Sequence, residues 1–305
     1  MATHRLRPSR RTLHGHWSRD LPPVLTIDPG DTVQFTTLEA AWCVERRPTK
    51  WPWKQVEPRR PILDDGHALT GPVAVRGARP GMTLAVEIGP IIPADWGWTF
   101  SAPQGERARA LGLGNQPPHA QFWDIDPAGM LARDRAGRRV RLRPFMGVGP
   151  AEPGVHTTTP PRAWGGNIDC KELVAGTTLF LPTGVEGALF SVGDGHAAQG
   201  DGEACGNALE CPMEQVDLTF RLLDTPLKAP RAKTADALIT FGFDPDLNRA
   251  TMMALSGMLD LLQEQRNIPR QEALALASVA ADLRITQIVN GSQGVHAVLT
   301  DDALG

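Results

Sequence analysis

The chain of 305 residues contains no tyrosine, and its aromatic side chains, 9 Phe and 8 Trp, make up only 6 % of it. Phenolic acid–base chemistry is thereby excluded, which leaves carboxylates, histidine and metal-bound water as proton carriers. Neither sign of charge is in excess: 31 Lys and Arg stand against 34 Asp and Glu, a net charge of -3. That balance excludes a nucleic-acid partner, since such binding draws on clustered cations that displace counterions. The basic run Arg5 to Arg11 has no interleaved aromatics and reads as a solvated terminal tail. Long apolar runs are missing as well. No stretch reaches the roughly 18 apolar residues of a membrane span, and the first residues lack a signal-peptide core, so the reading is cytoplasmic with no membrane partner. Four cysteines over this length make no disulfide framework, and Cys205 and Cys211 lack the two-residue gap of a zinc knuckle. They read as reduced, buried thiols.

Glycine and proline are abundant, 31 and 27 residues, roughly a fifth of the chain against a usual background of about 12 %. Such a chain is rich in turns and ill suited to a helical bundle. With 41 % hydrophobic residues it is soluble and globular, long enough for one large or two modest domains. Short strands alternate with turn signals from the start. Asp31 to Thr37 alternates apolar Val33 and Phe35 with polar neighbours after Asp28-Pro29-Gly30, and Met82 to Ile88 does so after Arg79-Pro80-Gly81. Pro93 to Pro153 is irregular, with Trp96, Trp98 and Trp123 among Gly and Pro, and a connection of that length is functional or holds further elements.

Strand character returns over Thr177 to Leu181, Ala188 to Val192, Glu214 to Leu223 and Ala237 to Phe243. At Asp244-Pro245 the pattern predicts a helix, with Asp244 as N-cap and Met252, Leu255, Leu259 and Leu262 facing the core. A second helix is predicted from Pro269 to Leu283, with Leu274, Ala277 and Ala281 on one side. A hairpin of Ile285 to Val289 and Val295 to Leu299 then ends the chain. The order predicts a mainly β region over 1–233 and a smaller α+β region over 234–305.

The densest chemistry is Gly193-Asp194-Gly195-His196-Ala197-Ala198-Gln199-Gly200-Asp201-Gly202-Glu203. Each Asp lies between glycines, which remove bulk where a ligand must approach closely. Following an apolar run, Asp194 and His196 are placed at the end of a strand. Carboxylate with imidazole suits a divalent transition metal such as zinc, whereas an all-oxygen set suits calcium. The same pattern also describes a Gly-rich hairpin whose aspartates cap turns. In Trp164-Gly165-Gly166-Asn167-Ile168-Asp169-Cys170-Lys171, Asn167 and Asp169 project from one side if extended. His16, in His14-Gly15-His16-Trp17, and His67 are candidate ligands that read equally well as structural residues, and His119, His156 and His296 show no pattern.

There is no Gly-x-Ser-x-Gly elbow, no His-Glu-x-x-His helix, no P-loop and no dinucleotide fingerprint. Cys170, Lys171 and Glu172 offer the residue types of a Cys-Glu-Lys site. Sequence neighbours on a strand face opposite ways, however, which argues against their joint action.

Gly165-Gly166-Asn167-Ile168-Asp169, Gly176 to Pro182 and the run Gly187 to Glu203 together resemble the acetamidase/formamidase family of small-amide hydrolases. The likeness continues through Cys205-Gly206-Asn207-Ala208-Leu209-Glu210 to Thr286-Gln287-Ile288-Val289 and Gly294-Val295-His296-Ala297. Upstream it takes in His16-Trp17, Pro29-Gly30-Asp31, Leu69-Thr70-Gly71-Pro72 and Pro144-Phe145-Met146-Gly147. It implies a distorted jelly-roll-like β-sandwich with a smaller α+β C-terminal part, in a cytoplasmic homo-oligomer. The implied activity is hydrolysis of formamide or acetamide to ammonia and the carboxylate, with divalent metal ions. One departure stands out. Family members commonly show an Asp and a small, Gly-rich stretch after the first strand, whereas this chain reads Leu38-Glu39-Ala40-Ala41-Trp42-Cys43-Val44-Glu45. Trp42 would reshape a pocket there, and the Pro- and Trp-rich stretch Pro48 to Trp53 would add to the change.

Residue chemistry on the matching positions places a divalent metal, zinc or calcium, on Asp194 and His196, with His16, His67 or Asp169 completing the set. Glu203 takes the proton from water and passes it to nitrogen, Asp201 is the second catalytic carboxylate, and Asn167, Gln199 and Trp42 contact the small amide substrate. Two alternatives stand beside this: the same scaffold acting on a bulkier amide or other C–N compound, and a non-catalytic β-sandwich module with structural calcium.

Overall fold

A computed structural model describes residues 1–47, 53–102, 104–149 and 152–304. Of the stretch Pro48 to Trp53, only Trp53 falls within them. Period-two burial builds the strands: in Thr32–Thr37, Val33, Phe35 and Thr37 turn inward, and in Met213–Leu223, Val216, Leu218 and Phe220 do. Among the described residues the strands form a nine-stranded sheet, a ten-stranded sheet and a two-stranded ribbon of His16–Ser18 with Val155–Thr157. The two large sheets face each other across one core, as the mainly β sandwich expected from the sequence requires. Val33, Phe35, Val86 and Phe220 of the first sheet meet Val73, Val75, Phe190 and Val192 of the second. The rings of Phe190 and Phe220 pack edge to face, 4.9 Å between centroids.

The C-terminal strands Ala237–Asp244, Gln293–Thr300 and Ala281–Gln287 extend the nine-stranded sheet at one edge, where two helices cover them. The first, Leu247–Arg266, starts later than the sequence predicts. Asp246, not Asp244, is its N-cap, accepting from the backbone N–H of Asn248 at 2.8 Å and Arg249 at 3.1 Å, while Asp244 accepts from the N–H of Asp246. Of the predicted stripe Leu259 and Leu262 are buried, Leu255 is half-buried and Met252 faces solvent, while Ala250, Ala254, Met258 and Leu261 complete the buried face. Alanines carry its first turns because there the helix lies tight on the sheet: a Cβ on Gly242 would stand 2.0 Å from the carbonyl oxygen of Ala250.

The second helix is shorter than predicted, Arg270–Ala280, and it buries Ala273 and Ala277 while Leu274 stays exposed. Its successor Ala281 already belongs to the terminal hairpin, Ala281–Gln287 with Gln293–Thr300. The irregular stretch from Pro93 holds Trp96–Ser101, His119–Asp126, Leu131–Asp134, Arg139–Arg141 and Phe145–Gly149, five strands of the ten-stranded sheet. Cys43, Cys170 and Cys211 are buried free thiols, but Cys205 is exposed, on a turn. No helix among the described residues is long and apolar enough to cross a membrane.

Candidate active site

The strand Phe190–Ala198 lies inside the ten-stranded sheet rather than ending before Asp194. Leu69–Val75 and Leu209–Glu210 flank one edge and Phe145–Gly149 the other. Its pairing with Phe145–Gly149 slips at Met146/Gly147, which leaves Asp194 unpaired at a bulge with φ 58°. A bulge re-aims the side chains beyond it. Before it Phe190 and Val192 face the core, and after it Ala197 does. Asp194 and His196 are thus freed for a polar pocket although they keep the parity of Phe190. Trp42, Asp169 and Glu203 also hold left-handed backbones, φ 66°, 55° and 46°. Such conformations in non-glycine residues cost on the order of 1 kcal/mol each and gather where function demands them.

At the bottom of this pocket Asp169, Asp194, His196, Glu203 and Glu210 converge, all buried. His196 is shared by two overlapping sets, with Asp169 and Glu203 and with Asp194 and Glu210, in each of which the ligand atoms lie within 4.8 Å of one another. Its Nε2 is 3.3 Å from Asp194 Oδ1 and 3.1 Å from Glu210 Oε1, yet neither ring nitrogen has a partner in hydrogen-bond geometry. Asp169 Oδ1, Glu203 Oε2 and Glu210 Oε2 are likewise buried without one.

Burial and then the charge of Asp194 push the Asp169 carboxyl up to about 7, against His196 and His67. Burial and the charge of Asp169 push Glu203 up to about 10. Burial works against the charge on Asp194 too, but His67 and His196 outweigh it and hold that carboxyl below its ordinary range. Burial lowers the His196 imidazole, and the Glu210 and Asp194 carboxylates more than reverse this, so the ring is held well above its ordinary value.

The supports come from several elements. Asn290, beyond the strand Ala281–Gln287, donates from Nδ2 to Asp169 Oδ2 at 2.7 Å, and Gln287 Oε1 fixes that turn by accepting from the N–H groups of Val289 and Asn290. Gly202 pairs with Gln287, docking the loop that carries Glu203 on the C-terminal hairpin. Asn207 clamps Phe100 through both its N–H and its C=O. Glu39, fully buried, accepts from the N–H of Ala41 and of Cys43 and from Trp98 Nε1. Burial dominates there and lifts its carboxyl to about 7. Above the cluster opens a cavity of about 320 Å³ whose walls include Trp42, Trp98, Arg59, His67, Asn167 and Asn207.

A family model described as the acetamidase/formamidase family matches residues 2–155 and 149–235. The chain belongs to that family. The acetamidase of Mycolicibacterium smegmatis is 26 % identical over 258 residues, covering 62 % of this chain and 61 % of the relative. The formamidase of Methylophilus methylotrophus is 25 % identical over 258 residues, covering 63 % and 59 %. The chain therefore spans about three-fifths of the curated relatives it matches. Among solved structures the acetamidase of Bacillus halodurans superposes with a TM-score of 0.84 at 30 % identity, over 97 % of both chains.

In this family member the cavity is lined by Asp194, Glu203, His67, Asn167 and Trp42, Asp169 and His196 lie against Glu203 and Asp194 in the cluster beneath it, and three predicted residues are left outside. His16 is buried apart from the cluster, with Nδ1 on the carbonyl of Leu63 and its ring against His14. Asp201 pairs with Lys171 Nζ at 2.8 Å near the surface. The two Gly-Asp-Gly segments differ in what presses on their glycines. A Cβ on Gly193 would stand 2.3 Å from the Ala68 carbonyl oxygen, whereas Gly200 and Gly202 face open space, so the second segment is a turn. Gln199 lines a neighbouring cavity and holds the backbone carbonyl of Asp169 from Nε2 at 2.7 Å.

Glu210, Glu39, Asn207 and Asn290 are the members that sequence reasoning did not assign. The signal for Glu210 was a lone carboxylate in the run Ala208-Leu209-Glu210-Cys211. Cys170, Glu172 and His296 form a separate buried group, with the thiol 3.2 Å from Glu172 Oε2, while Lys171 turns away to Asp201.

Proposed function

We propose that this protein is an amidase that hydrolyses small primary amides to ammonia and the carboxylate, with a divalent cation held by Asp169, Asp194, His196 and Glu210. The observation that carries the reading is the set of buried, partnerless atoms on Asp169, His196, Glu210 and Glu203, with Asp194 Oδ1 3.3 Å from His196 Nε2. Buried polar atoms in native proteins are paired, and several carboxylates around one imidazole concentrate negative charge that a cation offsets. Carboxylates with one imidazole fit zinc, and the carboxylates alone would fit calcium. Such a cation, when bound, polarises the amide carbonyl and brings the pKa of water down to about 7.

The remaining steps belong to the chain. The Glu203 carboxyl, raised to about 10 in the empty cluster, is ionised once a cation offsets the charge of Asp169. Its Oε2, without a protein partner, then takes a proton from the attacking water and returns it to the amide nitrogen, which turns a poor leaving group into ammonia. Asn167 has Nδ2 committed to the Thr159 carbonyl at 3.2 Å, so its Oδ1 is the atom to accept from the substrate amide. Trp42 and Trp98 wall the acyl side. A cavity of about 320 Å³ is at the lower end for small-molecule sites and has room beyond an acetyl group. Assembly into a homo-oligomer is part of the proposal, supported by exposed Leu283 and Ile285 on the edge strand Ala281–Gln287 and by Val279 beside it.

Ammonia release from a panel of primary amides, with metal analysis before and after chelation, is the test. Turnover that falls roughly a hundredfold on chelation and returns with zinc is expected. Full activity in metal-free protein overturns the role of the cation. A protein that holds calcium alone and turns over no amide is a structural-calcium module instead.

A further inference from the structure

Three guanidinium groups, those of Arg10, Arg59 and Arg60, bind Asp64, but only two of them reach its buried carboxylate. Arg10 Nη2 takes Asp64 Oδ2 at 2.7 Å and Arg60 Nη2 takes Oδ1 at 2.9 Å. Arg59 reaches only the backbone carbonyl of Asp64, and its Nε is buried without a partner. Its guanidinium lies over the ring of Trp42, 4.4 Å from the centroid, an arrangement that fixes the plane; with Nη2 on the Asp64 carbonyl and Nε buried, the end of the guanidinium at Nη1 and the second N–H of Nη2 are what a ligand can reach. Among the described residues Arg59 forms no ion pair. Among the described residues, Arg59 and His67 are the basic side chains of the cavity wall, above the acidic floor of Asp194, Glu203 and Glu210.

A cavity with an acidic floor and an uncompensated guanidinium in its wall suits a substrate with two unlike ends. We propose that Arg59 determines specificity by binding a carboxylate on the acyl chain, so that the preferred substrates are monoamides of dicarboxylic acids. This rests on the amidase reading above. The planar fork of a guanidinium matches a carboxylate through two parallel N–H donors. The substrate amide then reaches the floor while its far end neutralises Arg59. A formamide or acetamide leaves that charge unmatched, and the volume beyond an acetyl group unfilled.

The experiment compares the monoamides of oxalic, malonic, succinic and glutaric acid with neutral amides of the same length, in wild type, Arg59→Gln and Arg59→Lys. In wild type kcat/KM for the best monoamide exceeds that of its neutral counterpart by roughly ten- to hundredfold, the value of a charged hydrogen-bonded contact. That ratio falls toward unity in Arg59→Gln, chiefly through KM, and partly recovers in Arg59→Lys. A ratio that neither substitution moves, or a wild-type preference for the neutral amide, overturns the assignment. Calorimetric titration with succinate reads the Arg59 contact without turnover. Hydrolysis of neutral amides with no Arg59-dependent succinate binding removes Arg59 from its role and leaves the amidase reading intact. Arg59-dependent succinate binding with no amide hydrolysed leaves an anion site and removes the amide substrate class together with the amidase reading.

Discussion

Replacing Asp169 by Asn separates the electrostatic account of the cluster from a merely steric one. The backbone of Asp169 is left-handed, φ 55°, a conformation Asn adopts readily, and its Oδ2 contact with Asn290 survives as an amide oxygen. Only the charge is lost. Burial and the charge of Asp194 carry this carboxyl from its ordinary 3.8 to about 7. At about 1.4 kcal/mol per pH unit, keeping it ionised in the empty fold costs on the order of 4 kcal/mol. A carboxyl raised on folding retains its proton longer in the native state than in the unfolded one. Stability is therefore full below pH 4, falls as pH rises from about 4 to 7, and is lowest above 7. With about 2.1 cal/mol/K of unfolding entropy per residue, 305 residues convert that amount into about 6 °C of melting temperature.

In chelator at pH 8, Asp169→Asn should accordingly melt about 6 °C above wild type, and at pH 5 only about 2 °C above it. Added cation acts the other way. At about a thousand times Kd it stabilises wild type by about 4 kcal/mol, and a variant that binds about a hundredfold more weakly gains only about 1.4 kcal/mol. The advantage of the variant then shrinks to about 2 °C at pH 8. Scanning calorimetry of both proteins, at both pH values, with chelator and with zinc, reads all of this. A variant that melts below wild type at pH 8 in chelator, or a gap independent of pH, refutes the reasoning.

Glu203→Gln keeps the shape of the proton carrier and should lower kcat by roughly 10²–10⁴, measured as ammonia release; wild-type turnover removes Glu203 from that step. Gly193→Ala would put a Cβ 2.3 Å from the carbonyl oxygen of Ala68, so a loss of at least roughly 1–3 kcal/mol is expected in urea unfolding, and an unchanged midpoint shows that the approach is not close. Ile285→Lys on the exposed edge strand should shift the sedimentation profile toward monomer; an unaltered oligomer places the interface elsewhere.

The fold was legible wherever one face of a strand is buried and the other is not. Thr32–Thr37 and Met213–Leu223 alternate because a sandwich strand has one core face, and that periodicity is a property of the residues themselves. Where two elements compete for a residue the sequence is less decisive. Asp244 and Asp246 are both sound N-caps, and the choice falls to Asp246 because the strand Ala237–Asp244 continues to Asp244 and takes it. Met252 fits a helical stripe as well as Ala254 does, but at Gly242 the first turns of the helix lie so close to the sheet that Ala250 and Ala254 take the buried face there. Trp96 and Trp98 lie in a strand buried on both sides at its start, and Trp123 in one that is half-buried along most of its length, so neither shows alternation and the segment from Pro93 looked irregular.

The site shows the same division. Its density of carboxylate, imidazole and glycine was visible along the chain, and it marked Asp194, His196 and Glu203, which converge. What decides between Asp194 and Asp201 is a one-residue slip between two strands distant in sequence, and no local pattern encodes a slip. Glu39 and Glu210 enter from elsewhere, each buried in an otherwise apolar surrounding. A carboxylate in such a place destabilises the fold unless it has company, and here the company is other carboxylates and one imidazole. The repulsion that raises Asp169 and Glu203 in the empty cluster is the same free energy a cation recovers on arrival. Removing the charge of Asp169 should therefore stabilise the empty protein and weaken the cation together, whereas removing that of Asp194, which His67 and His196 hold ionised, should weaken both.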